Sequence, residues 1–202
     1  KELYKLNNFD LLITTKNIDD FFLFPICKIS PFITKQDSQK IEEVINKIIC
    51  DKEFYNLTKM LSYYFDAELF VCSKKIKTKK EALEFMTNIM KEKNIIDNNF
   101  ISSLYEREAL SSTGFMNSFA LPHSLEYNAL KSKIFILINP ESIDWGNTNV
   151  KIIFLIAISR KDRENAKPLF DFLTEIMTDE GKIYQLTNTK KYEDFMKTLM
   201  TE

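Results

Sequence analysis

The sequence predicts an α/β protein: a mixed β-sheet flanked by helices on both faces, preceded by a partial, smaller α/β segment at the N-terminus. Short apolar runs bounded by polar residues, at 9–15, 22–29, 68–72, 134–138 and 150–158, alternate with segments whose apolar residues recur every three or four positions. The run Ile152-Ile153-Phe154-Leu155-Ile156-Ala157-Ile158 is apolar at successive positions, the signature of a central strand covered on both sides. Helical stripes lie before and after it, an order that lays helices on the faces of a mixed sheet.

Taken along the chain, the first two runs, Phe9-Asp10-Leu11-Leu12-Ile13-Thr14-Thr15 and residues 22–29, read as buried strands. Two strands this close in sequence are expected to need other strands to pair with. After Pro31, Asp37 is placed to cap a helix whose Ile41, Val44, Ile45, Ile48 and Ile49 share one face. Strand, strand and helix in about 50 residues make the back half of a small α/β domain, residues 1–52.

Residues 53–202 form the second unit, opening with a strand at 68–72. Thr78 with Glu81 three residues on is a capping box, and Ala82, Phe85, Met86, Ile89 and Met90 give its helix an apolar stripe. A helix from about residue 98 to 110 turns Ile101, Leu104 and Tyr105 inward and carries Arg107 near its C-terminal end. Strands at 134–138 and 150–158 are joined through Pro140 and the turn signal Asp144-Trp145-Gly146. Pro168 suits the first turn of a helix with the stripe Leu169, Phe172, Leu173, Ile176 and Met177; Tyr192, Phe195, Met196 and Leu199 make a last one. There is no internal repeat and no low-complexity linker.

Bulk properties exclude several classes. With 28 basic against 29 acidic side chains, no global field draws the chain to phosphate backbones, so no direct nucleic-acid contact is expected. Cys27, Cys50 and Cys72 are odd in number and widely spaced, which fits neither a disulfide framework nor a zinc knuckle and suits a reducing cytosol. The longest apolar run is far short of the roughly 20 residues that cross a bilayer, and no signal-peptide pattern is visible, so a cytoplasmic chain without membrane contact is expected. The single histidine cannot build a histidine metal cluster, and no metal or cofactor is expected.

That histidine, His123, ends the segment Thr113-Gly114-Phe115-Met116-Asn117-Ser118-Phe119-Ala120-Leu121-Pro122-His123. Its imidazole titrates near neutrality, so it is either a nucleophile or base, or a packed ring without a role. Pro122 fixes its own φ and biases Leu121 toward an extended shape, which aims the ring.

The stretch Arg107-Glu108-Ala109-Leu110-Ser111-Ser112-Thr113-Gly114 through Leu121-Pro122-His123 resembles the active-site signature of the fructose/mannitol-type enzyme IIA domain of the bacterial phosphotransferase system. The resemblance spans roughly residues 55–202, including the Asp144-Trp145-Gly146 turn. It implies that His123 accepts a phosphoryl group from the carrier protein HPr, that Arg107 helps to hold that group, and that Thr113 belongs to the loop around it. Phosphoryl transfer asks mainly for positioning and charge neutralisation, which one guanidinium and loop N–H groups can supply. The chain departs from the family in two ways: Met116 and Ser118 stand where further glycines are usual, and residues 163–167 lack the second histidine of many members.

Residues 1–50, with Ser30-Pro31-Phe32-Ile33-Thr34 and the Asp37 helix, resemble the last part of the enzyme IIB-like domain of sugar-responsive transcription regulators and antiterminators. The active cysteine of that family lies in a part this sequence does not contain, and Cys27 reads as a small packed residue. Val71-Cys72-Ser73-Lys74-Lys75-Ile76-Lys77-Thr78 echoes a phosphocysteine loop but lacks its glycines, and it equally fits the opening strand of the second unit. The lysines there read as a solvated helix start. A IIB-like piece followed by a IIA-like piece implies a C-terminal regulatory module with HPr as donor, neighbouring regulatory domains, and an enzyme IIB protein as a further partner. A sugar-specific IIA component of a transporter and a binding module that is never phosphorylated are the alternatives.

Overall fold

The computed structural model describes residues 9–18, 22, 24–72, 74–115 and 118–201. The chain forms two compact units, residues 1–58 and 59–202.

In the first unit, strands β1 (Leu12–Thr14) and β2 (Ile26–Lys28) pair with each other in parallel, Ile13 opposite Cys27. This corrects the expectation that both would need other partners. Cys27 is buried as a free thiol. The long helix α1 (Lys35–Tyr64) begins in this unit and ends in the second. Its start corrects the reading of Asp37 as the cap. The Thr34 hydroxyl accepts from Asp37 N–H at 3.2 Å, while the Asp37 carboxylate accepts from Thr34 N–H at 2.9 Å and from the Thr34 hydroxyl at 2.7 Å. That reciprocal arrangement is a capping box with Asp37 three residues inside. The Thr34 backbone and hydroxyl donors, followed by Ser30, hold the Asp37 carboxyl at about 2. Ile45 and Ile49, from the predicted stripe, are exposed, as are Phe32 and Ile33.

The second unit is built on a five-stranded mixed sheet in the order β3-β6-β7-β5-β4. β3 (Phe65–Cys72) runs parallel to β6 (Asn128–Asp144), β6 antiparallel to β7 (Asn149–Ser159), and β7 parallel to the short β5 (Phe119–Ala120), which closes a hairpin with β4 (Gly114–Phe115). The all-apolar stretch therefore occupies the centre. Ile153, Leu155 and Ala157 of β7 join a core with Leu83, Met86 and Met90 of α2 (Lys79–Glu92) and Phe100 and Leu104 of α3 (Asn98–Leu110). Phe154, pointing the other way as strand alternation requires, meets Phe195 of α6 (Tyr192–Met200), which also packs on Phe70 of β3. Between β7 and α6 come a 3₁₀ helix (Arg160–Asn165), α4 (Ala166–Thr178) and α5 (Glu180–Asn188).

Thr78 caps α2 by accepting from Glu81 N–H, as its capping box predicts, and Asp97 caps α3 through Phe100 N–H. Pro140 does not join two strands. It lies inside β6 where the register with β7 shifts between Ile138 and Ile143, an irregularity that tolerates a residue without an N–H. The turn proper is residues 145–148, with Gly146 at φ +103°, a conformation open to glycine. Among the described residues no helix is long and apolar enough to cross a membrane.

Candidate functional site

The last turn of α3 supplies two charged neighbours that face different ways. Arg107 donates from Nη1 to the carbonyl and the hydroxyl of Ser111, both at 3.0 Å, which places a cation at the carbonyl end of the helix. Glu108 turns into the protein. One carboxylate oxygen accepts the Thr113 hydroxyl, and the other pairs with Lys79 Nζ at 2.5 Å. The Thr113 oxygen in turn accepts from the Trp145 indole N–H at 3.1 Å, and Trp145 is completely buried. A tryptophan in a core needs a partner for its N–H, and here that partner is the loop itself.

Further bonds tie the loop to the β6–β7 turn. The Ser112 hydroxyl donates to the Trp145 carbonyl at 2.9 Å, and Asn147 Nδ2 donates to the Gly114 carbonyl at 3.0 Å. A Cβ on Gly114 would lie 2.9 Å from Thr148 Cγ2 and 3.0 Å from Trp145 Cδ1, so any larger residue would have to displace these side chains. Leu121 N–H then bonds the Thr113 carbonyl at 3.0 Å, and the chain leaves toward His123 from a fixed start.

Ser118, in the β4–β5 hairpin, has φ +76°, and its carbonyl accepts from both Lys151 and Ile152 N–H of β7. Ser118 itself thus takes the left-handed conformation that glycine adopts freely, while Met116 lies outside the described residues. Ser118→Gly should leave stability within about 0.5 kcal/mol, because relief of the left-handed backbone is offset by chain entropy, whereas Ser118→Val should cost about 1–2 kcal/mol. Urea midpoints of the two variants check this.

His123 sits beside the central strand: Ile156 N–H donates to the Pro122 carbonyl at 2.9 Å, and His123 bridges to Ile156 in parallel register. The ring Nδ1 lies 2.8 Å from the Leu121 carbonyl. A carbonyl only accepts, so Nδ1 carries the proton and Nε2 keeps its lone pair. The ring opens on a cavity of about 220 Å³ whose walls include Arg107, Glu126, Tyr127, Ile156 and Phe170. Phe170 of α4 presents its ring edge-on at a centroid distance of 6.2 Å.

Burial pushes the His123 pKa down, and the Arg107 charge adds to this, against the opposing pull of the Leu121 carbonyl and Glu108. The neutral ring is therefore favoured near pH 7. The unfolded chain takes up that proton more readily than the folded one, so stability should fall as pH drops below about 6.5 and be insensitive to this group above it. Melting temperatures across pH 5–8 should show this step in the wild type and lack it in His123→Gln.

His123 and Arg107, both expected from the sequence, thus share one cavity, and Thr113 does not line it. Thr113 is 1% exposed with its hydroxyl bonded on both sides, so it anchors the loop without facing the opening. Cys72 lies at the end of β3 with Sγ 3.1 Å from the Lys190 carbonyl, away from the His123 cavity; Ser73 lies outside the described residues. Sequence reading passed over Glu108, Tyr127 and Phe170. Glu108 carried one signal, a charge four residues beyond the inward-facing Leu104 on the buried side of α3. No group of three or more His, Cys, Asp or Glu among the described residues is arranged to hold a metal.

Residues 63–201 match the family model described as the phosphoenolpyruvate-dependent sugar phosphotransferase system, EIIA 2. The probable licABCH operon regulator of Bacillus subtilis (strain 168) is 24% identical over 185 residues, which cover 92% of this chain but 28% of that protein. The mannitol-specific phosphotransferase enzyme IIA component of the same organism is 30% identical over 125 residues, 60% of this chain and 85% of that protein. Among solved structures, the complex of enzyme IIAMTL and phosphorylated enzyme IIBMTL from Escherichia coli contains a chain with a TM-score of 0.58 and 22% identity, matched over 67% of this chain and 97% of its own length. The chain spans less than a third of the regulator that it matches over most of its own length.

Proposed function

The chain belongs to the phosphoenolpyruvate-dependent sugar phosphotransferase system EIIA 2 family, and on that premise we propose that it is the C-terminal regulatory module of a bacterial transcription regulator or antiterminator for carbohydrate use, in which His123 accepts a phosphoryl group from HPr. The observation that carries this reading is the His123 ring: its Nδ1 proton is fixed on the Leu121 carbonyl, and the ring opens on a cavity that also holds Arg107.

In the proposed step the Nε2 lone pair attacks the phosphorus of the phosphorylated donor. The bond from phosphorus to the donor nitrogen breaks, and its electron pair stays with the donor. His123 needs to shed no proton, because Nδ1–H already holds the nucleophilic tautomer. Arg107 and the local backbone supply charge compensation as the group passes. Thr113 acts by holding the loop, and residues 1–52 are the end of an enzyme IIB-like domain.

Regulation is favoured over transport by the residues of the loop, where Met116 and Ser118 stand in place of glycines, and by the lack of a second histidine at 163–167 to serve onward transfer. Likeness to the operon regulator runs over 92% of the chain, past the EIIA 2 region into the residues before it, but so does likeness to a mannitol-specific EIICBA component, over 82%. The 30% identity to a mannitol IIA component supports the alternative of a transporter component, which would pass the group on to a IIB protein. A phosphorylated His123 would add charge of about −1.5 to −2 beside Arg107 and so change packing against neighbouring domains.

The test is incubation with phosphoenolpyruvate, enzyme I and HPr, followed by peptide mapping. The expected result is one acid-labile, base-stable phosphate on the peptide containing His123. An unmodified chain would overturn the proposal and leave a binding module. Onward transfer to a IIB protein at rates that sustain sugar uptake would instead select the transporter component.

A further inference from the structure

We propose that Arg163, whose guanidinium lies over the Tyr127 ring that lines the cavity, is a second phosphoryl-binding cation that reaches and stabilises the group once it is on His123. The inference rests on the reading of His123 as the acceptor.

The need for it follows from the charges at the site. A phosphoryl group brings about two negative charges. The cavity wall also carries Glu126, and the cation that lines it, Arg107, is already donating to the Ser111 carbonyl and hydroxyl. One partly engaged guanidinium facing a dianion and a carboxylate leaves the site short of positive charge.

Arg163 is placed to correct this. Its guanidinium carbon lies 5.6 Å from the centroid of the Tyr127 ring, within the range of a cation–π contact, and that ring is part of the cavity wall. Among the described residues Arg163 forms no ion pair, so its charge is not already neutralised by a carboxylate. The side chain is exposed, yet its backbone is held. The neighbouring Asp162 is buried in the same 3₁₀ helix, where its carboxylate accepts from the hydroxyls of Tyr63 at 2.9 Å, Ser159 at 2.8 Å and Ser132. A pinned backbone with a long arginine resting on an aromatic face can move its charge toward an anion at small entropic cost.

The experiment measures the equilibrium constant for phosphoryl exchange between HPr and the protein, with purified full-length chains. This constant compares the free phosphorylated and unphosphorylated proteins and is blind to how well they dock. Arg163→Gln should shift it about tenfold or more toward phospho-HPr, Arg163→Lys should recover part of the loss, and Tyr127→Leu should shift it the same way. Tyr127→Phe, which keeps the aromatic face, should stay near the wild type. Melting temperatures confirm that each variant is folded. An unchanged equilibrium in Arg163→Gln, including the case where only the KM for phospho-HPr rises, overturns the inference and leaves His123 as acceptor. Failure of the wild type to be phosphorylated removes both.

Discussion

Replacing His123 by glutamine should abolish phosphoryl acceptance, with no acid-labile adduct detectable after incubation with phosphoenolpyruvate, enzyme I and HPr, while the protein stays folded. Glutamine carries an amide N–H that can still reach the Leu121 carbonyl, which the imidazole Nδ1 meets at 2.8 Å. The structural bond thus has a substitute. The nucleophile has none, because an amide nitrogen has its lone pair delocalised into the carbonyl and does not attack phosphorus. His123 makes one ring hydrogen bond to the backbone and an edge contact with Phe170, interactions worth about 0.5–1.5 kcal/mol each. The loss is therefore chemical, and an intact melting transition beside an absent adduct separates it from unfolding. Arg107→Ala gives the contrasting result: acceptance slowed by about 10²–10³-fold, the scale of removing one preorganised charge, without disappearing.

The sheet and its cover were legible because β7 announces itself by composition and because the α2, α3 and α4 stripes keep helical spacing. Elements without such a signal were not. The helix α5 is nine residues long with Gly181 near its start, too short for a stripe to stand out, although Asp179 caps it through Lys182 N–H at 3.0 Å. The extension of α1 past residue 52 to Tyr64 passed unread, since Phe54 and Tyr55 face out and break the apolar period. At the site, His123 and Arg107 were found because their residue types name their chemistry. Tyr127 and Phe170 belong to the cavity through tertiary placement: one lies in the bend before β6, and the other on α4. No spacing rule connects residues 107, 127 and 170, so only the folded chain brings them together.

The removal of Glu108 should be the most damaging change to the fold of the site, with Glu108→Ala costing about 3 kcal/mol or more in urea unfolding, the scale of breaking a buried pair from one side. Its side chain is 4% exposed and that of Lys79 is 25% exposed. Lys79 stands in the first turn of α2, where the helix dipole disfavours a cation by about 0.3–1 kcal/mol, so its pairing with Glu108 must more than offset that position. Without the carboxylate, Lys79 keeps an unfavourable site and the Thr113 hydroxyl loses the acceptor that orients it toward Trp145. Glu108→Gln, which keeps the shape and an oxygen for Thr113, should cost clearly less, about 1–2 kcal/mol. If the pair is the source of the cost, the Glu108→Gln, Lys79→Met double variant should cost less in total than the sum of the two single changes, by at least about 0.5 kcal/mol. Strict additivity would show that the two side chains act separately. Because the same residues anchor the loop that delivers His123, Glu108→Ala should also slow phosphoryl acceptance at temperatures where the chain is still folded, and a variant destabilised to the same degree through Leu199→Ala on α6 should not.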